Sequence, residues 1–206
     1  MPRRSAILLL LCLGLAAGEP PAALPGIWLE CEAGSGHTRA QANGRCSGGR
    51  LVGWVTPATT TTMRAVVAEP MPRAVIHLHY NQIRDGAARV VVRAADGAEV
   101  FSGRILQPST GGWGEFAWTS LPIGALAAGT YDILLSGDDA GSGGHDVVVL
   151  LDDRWDGLYR LPSFRDGRPV GTGAVLAPLA LELAPAGGAT VIDLPAGEWG
   201  INVLVG

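Results

Sequence analysis

No lysine occurs in the 206 residues, so all 15 basic groups are arginines, set against 19 Asp and Glu. The formal net charge of −4 leaves no general basic surface, which argues against nucleic acid or anionic lipid as a partner. Cysteine is sparse, with three in all. After the first 18 residues long apolar runs are missing too. Stretches such as 147–151 are strand length, too short to insert in a membrane. The patterns G-x-S-x-G, H-E-x-x-H and the P-loop are absent, which removes the simplest esterase, zinc-protease and nucleotide-binding readings.

What is present begins with a targeting pattern. Arg3 and Arg4 precede an apolar stretch over 6–15, and Ala16-x-Gly18 supplies small residues at a cleavage position. Residues 1–18 therefore read as a secretory signal peptide. Leu11 rather than a small residue precedes Cys12, which disfavours a lipoprotein. The mature chain has 13 basic against 19 acidic residues, a net charge of −6, and retains Cys31 and Cys46. In an oxidising compartment this pair predicts one disulfide. It would close a loop of about 15 residues and contribute on the order of 3 kcal/mol. Two free thiols are the alternative, while a zinc pair lacks further ligands.

Short apolar segments punctuated by Gly and Pro dominate the rest. Strands are expected at 27–32, 51–55, 63–69, 74–80, 89–94, 99–104, 130–136 and 146–151. Turn signals fall at 84–86, 96–97, 128–129 and 137–145. Strands this short at spacings near ten residues predict an all-β fold, an antiparallel β-sandwich over about 26–157. In AVIHLHYN, alternation puts Ile76, Leu78 and Tyr80 on the core face and His77, His79 and Asn81 on the other. Residues 158–206 form a C-terminal β-rich extension, too small to bury a sandwich core alone. It holds a run at 174–184 that suits strand or helix, and a closing hairpin with its turn at 195–197. Such a tail either packs on the first domain or docks a protein partner.

Between Ile27 and Asp153 the order of features resembles a carbohydrate-binding module of the family 6 and family 35 type, a galactose-binding-like jelly-roll sandwich. The resemblance runs through Glu30-Cys31-Glu32-Ala33, Ser47-Gly48-Gly49 before Val52-Gly53, and the strand AVIHLHYN. It continues with TGGWGEFAW at 110–118, Leu126 to Tyr131, and Gly144-His145-Asp146 entering the last strand. It covers about 125 of the 188 mature residues.

Two site expectations follow. Glu30 and Glu32, on one strand face roughly 7 Å apart, and Asp146 offer three carboxylates to a hard cation such as Ca2+. In the resembled family the corresponding residues hold a structural calcium. The bland alternative is a pair of solvated edge-strand glutamates. Trp113, between Gly111-Gly112 and Gly114, has nothing nearby in sequence to bury it. A flat indole on a Gly-rich loop suits stacking on the C–H face of a sugar, and the resemblance implies that role. Trp118, which leads into an apolar run, reads as core.

The chain also departs from the family. The second aromatic wall is expected where Thr59–Thr62 stand, and the family's sugar-binding Asn is Gly144 here. Trp54 and His145 are the candidates to compensate. His77 and His79 share a strand face but have no evident third ligand, which favours a packed face over a metal site. Asp138 with Asp139, or Asp152, Asp153 and Asp156, would be the paired carboxylates of a glycosidase. The leading expectation is a secreted, non-catalytic protein binding an oligo- or polysaccharide, with a structural calcium. The alternative is a structural or protein-interaction sandwich of an extracellular or envelope assembly with a degenerate sugar cleft.

Overall fold

The computed structural model describes residues 26–37, 39–138, 143–153 and 161–170. The expected signal peptide, Asp139, Asp156, the 174–184 run and the hairpin expected at 195–197 lie outside these residues. Among the described residues no helix is long and apolar enough to cross a membrane.

The fold is an antiparallel β-sandwich. Its strands are β1 (Ile27–Glu30), β2 (Ala40–Ala42), β3 (Arg50–Val55), β4 (Thr60–Val67), β5 (Met71–Asn81) and β6 (Gly86–Ala94). They continue with β7 (Glu99–Gln107), β8 (Ala117–Leu126), β9 (Gly129–Gly137) and β10 (Gly143–Asp152). A small hairpin follows, β11 (Ser163–Arg165) and β12 (Arg168–Val170). One sheet has the order β2-β3-β10-β5-β8, with β1 also paired to β10. The facing sheet has the order β4-β9-β6-β7.

Strict alternation sets the facing sheet. Along β4, Thr61, Met63, Ala65 and Val67 turn inward, and along β9 Tyr131, Ile133 and Leu135 do the same. From the other side Ile76, Leu78, Tyr80, Val148 and Leu150 meet them, so the face predicted for β5 is the core face. In β10 every residue is buried, as is β5 from Ala74 to Asn81. Both therefore have a second covered face. His79 stacks near Phe116, and Trp118 and Phe164 pack within 5.2 Å of its ring. Trp118 is half-buried in this outer layer, edge-on to Trp28, and not in the inter-sheet core where the sequence had placed it.

Phe164 belongs to the β11–β12 hairpin, so the first part of the extension packs on the sandwich. Its tip is Asp166-Gly167, both at positive φ as a tight two-residue hairpin turn requires. Gly167 bonds with Gly44 and Gly48 through its backbone.

Three expectations need correction. The first strand stops at Glu30, and residues 31–33 form a 3-10 turn, so Glu32 leaves the strand. Strand β8 was not foreseen, because Pro122 and Gly124 interrupt its pattern. It lies at the sheet edge, where a missing N–H is tolerated, and the register with β5 shifts there. Cys31 and Cys46 are buried free thiols rather than a disulfide. Cys31 packs in the core as a small apolar residue. Burial raises both thiols, and Asp146, Glu32 and Glu30 raise them further. The thiolate that disulfide chemistry needs is thereby suppressed.

Candidate ligand groove and cation centre

Two clusters of the predicted residues come together, and they differ in character. The first is a groove of about 240 Å³ whose lining includes Trp54, Trp113, Gln41, Asn43 and Asn81, with backbone from Gly143 and Gly144. The two indoles are 57% and 47% exposed, unusual for the largest apolar side chains. Thus Trp54, and not the Thr59–Thr62 segment, brings a second aromatic to the groove.

Trp54 reaches it through a backbone irregularity. Between Val52 and Val55 the pairing of β3 with β10 slips by one residue, as in a β-bulge. Trp54 takes up the slip at φ 57, in the left-handed region that a bulky side chain enters only with strain. Strained positions of this kind cluster at functional sites.

Trp113 is held from below. Asn81, at the end of β5 and 97% buried (3% exposed), donates its amide N–H to the Trp113 carbonyl at 2.5 Å. That bond fixes which way the amide points, and leaves Oδ1 buried without a partner. Asn81 lies opposite Gly144 in the ladder. A side chain at Gly144 would run into Asn81 Oδ1 and Leu51, so the bare glycine leaves room for the amide. From the flank, Arg45 donates to the Gly114 carbonyl at 2.6 Å and pairs with Glu115 at 2.8 Å, pinning the tryptophan loop.

His145 does not line this groove. It is buried, and its Nε2 accepts from the Gln107 amide of the opposite sheet at 2.9 Å. Burial lowers its pKa to about 4, consistent with a neutral ring that accepts at Nε2. As a compensating sugar contact it is corrected: at its place in β10 the ring turns into the sandwich.

The second cluster is Glu30, Glu32 and Asp146, with ligand oxygens within 4.8 Å of one another. Glu32 joins from the 3-10 turn, and Asp146 from within β10. The missing element in the sequence reading is Ser47. Its hydroxyl donates to Glu30 Oε1 at 2.5 Å and its backbone N–H to Asp146 Oδ2 at 3.0 Å. His79 Nδ1 also meets Asp146 Oδ2, at 2.6 Å. These donors hold one oxygen of Glu30 and one of Asp146. Their second oxygens, Glu30 Oε2 and Asp146 Oδ1, are buried without a hydrogen-bond partner, as is Glu32 Oε2.

The electrostatics agree. Burial raises the Glu30 pKa to about 7 and Asp146 to about 8, with neighbouring carboxylates adding to both. Glu32 is also raised, again mainly by burial. His79 is lowered to about 4 by its own burial. Three carboxylates with buried free oxygens could together hold a metal ion, whose charge would remove their repulsion. His79 and Ser47 would then orient the ligands, as outer partners do around bound metals.

The other polar expectations scatter. His77 bonds to Ser120 Oγ at 2.8 Å, and His37 to the Glu32 carbonyl at 3.1 Å, so His77 and His79 form no common site. Asp138 pairs with Arg104 and Asp153 with Arg73.

No family model matches the sequence, and no curated protein does. The fold, however, has solved relatives. A β-1,3-glucan-binding family 6 carbohydrate-binding module from Bacillus halodurans superposes with TM-score 0.51 at 18% identity, over 62% of this chain and 96% of that one. A family 35 carbohydrate-binding module from Clostridium thermocellum gives 0.51 at 19%, over 61% and 98%. An exo-β-1,3-galactanase from Phanerochaete chrysosporium gives 0.52 at 19%, over 63% of this chain but only 30% of its own length. The chain thus has the sandwich fold of the family 6 and family 35 modules.

Proposed function

We propose that this chain is a secreted, non-catalytic carbohydrate-binding module, with a structural calcium ion held by Glu30, Glu32 and Asp146. The observation that carries the sugar reading is the groove: two half-exposed indoles meet three side-chain amides in one cavity. Indoles supply broad contact to the C–H faces of pyranose rings, and amides supply hydrogen bonds to hydroxyls. The carbohydrate-binding modules that share the fold support it. Export is inferred from the N-terminal pattern.

Calcium is supported by the three orphaned carboxylate oxygens and by the all-oxygen donor set. It would join β1 and the following turn to β10. The non-catalytic reading is supported by two of the described acidic candidates, Asp138 and Asp153, which are engaged by arginines.

The test is a glycan array probed in calcium with residues 19–206 and with Trp113→Ala. Binding by the first protein alone, with unchanged melting, is the expected result. Absence of binding by either would overturn the reading in favour of a protein-interaction sandwich.

A further inference from the structure

We infer that the groove is built for a neutral hexopyranose, one ring deep, and rejects uronic acids; the inference rests on the carbohydrate-binding reading above. None of the described residues lining the groove carries a charge. Its polar side chains are the amides of Gln41, Asn43 and Asn81.

Four of the charged side chains nearby are engaged away from the groove. Arg45, which flanks the tryptophan loop, is held by the Gly114 carbonyl and the Glu115 carboxylate and does not line the groove. Glu30, Glu32 and Asp146 likewise do not line it. A bound uronate would have to leave its carboxylate desolvated, with no cation among the described lining residues to meet it, which is costly.

The Trp113 carbonyl holds the Asn81 amide nitrogen, and Oδ1 is buried against Gly144. Gln41 packs its amide against Gly53, where any side chain would collide with it. The bare Gly53 and Gly144 therefore make space for amides on two walls of the same cavity. At about 240 Å³ the cavity is below the roughly 300–1,000 Å³ of pockets that enclose drug-sized ligands. One ring fills it, and further sugar units would lie outside.

The experiment titrates the wild-type chain in calcium with methyl glycosides of glucose, galactose and mannose, and with those of glucuronic and galacturonic acid. Trp113→Ala is the control in every titration. At least one neutral glycoside is expected to bind at least about tenfold more tightly than either uronide, and to lose binding in Trp113→Ala. A tetrasaccharide of the preferred sugar is expected to gain less than about tenfold over the single ring; a larger gain overturns the one-ring depth. A uronide that binds as well as the neutral sugars, and is lost in Trp113→Ala, overturns the inference and leaves the carbohydrate reading standing. Binding of neither class, or binding indifferent to Trp113, overturns both.

Discussion

The groove and the acidic centre are built from opposite materials. The described lining of the groove is uncharged and shows two large indoles to solvent; the acidic centre gathers three carboxylates, with Glu30 and Glu32 half-buried and Asp146 fully buried. A surface indole contributes little to folding, so such a site is free to be chosen for its ligand. Buried carboxylates do the reverse: without a cation they burden the fold, and with one they hold it together. On the proposed function, one site serves recognition and the other stability. Asn81 and Asp146 carry the contrast, each a buried polar side chain, one bonded to the tryptophan loop and the other set among carboxylates that could hold a cation.

The comparison breaks most readily at Asp146. Asp146→Ala removes the acceptor shared by Ser47 and His79 and one cation oxygen, and should cost roughly 3–5 kcal/mol. Calorimetry should also show that added calcium no longer raises Tm; a wild-type rise would place the cation elsewhere. Next in size is removal of calcium from the wild-type chain. From a free concentration 100 times Kd, chelation should cost about 2.7 kcal/mol, read as a fall in Tm.

A smaller effect has a defined sign. With calcium chelated, Glu30 and Asp146 keep protons up to pH of about 7 and 8, whereas the unfolded chain releases them near 4. The folded state then binds more protons, so stability falls as pH rises through 7 and 8. Below about pH 6.5 the buried His79 and His145, both lowered to about 4, act the other way, because the unfolded chain takes up their protons first. Melting in chelator should therefore decline from about pH 6.5 to 8.5, and melting in calcium should not. The smallest effect on stability belongs to the groove: Trp113→Ala should shift it by no more than about 0.5 kcal/mol, while abolishing sugar binding.

The sequence carried the parts of this picture that depend on local pattern. Alternation in AVIHLHYN identified Ile76, Leu78 and Tyr80 as core, and the Gly-rich setting of Trp113 marked its exposure. Strand spacing paired Glu30 with Glu32 on paper, and the family resemblance added Asp146, although Glu32 arrives from a turn and not from the strand. What stayed hidden depends on register. Period-2 reading has no means to foresee the slip that turns Trp54 outward, or the pairing that sets Asn81 opposite Gly144. His79 looked like one of a histidine pair, yet its partner is an aspartate 67 residues away. The cysteines misled for a related reason: compartment predicts a bond, but the burial that keeps them thiols, and the Asp146 carboxylate that adds to it, come from the assembled fold.

Trp54 offers the most direct test, because its backbone and its side chain make separate demands. At φ 57 the backbone suits glycine, and relief of left-handed strain is worth roughly 1–2 kcal/mol. The decisive measurement pairs the melting temperature of Trp54→Gly with its affinity for the sugar that the wild-type chain binds. The account predicts a Tm equal to or above wild type and an affinity at least about tenfold weaker. Wild-type affinity in Trp54→Gly would contradict it, and would leave Trp54 as a strained surface residue with no part in recognition.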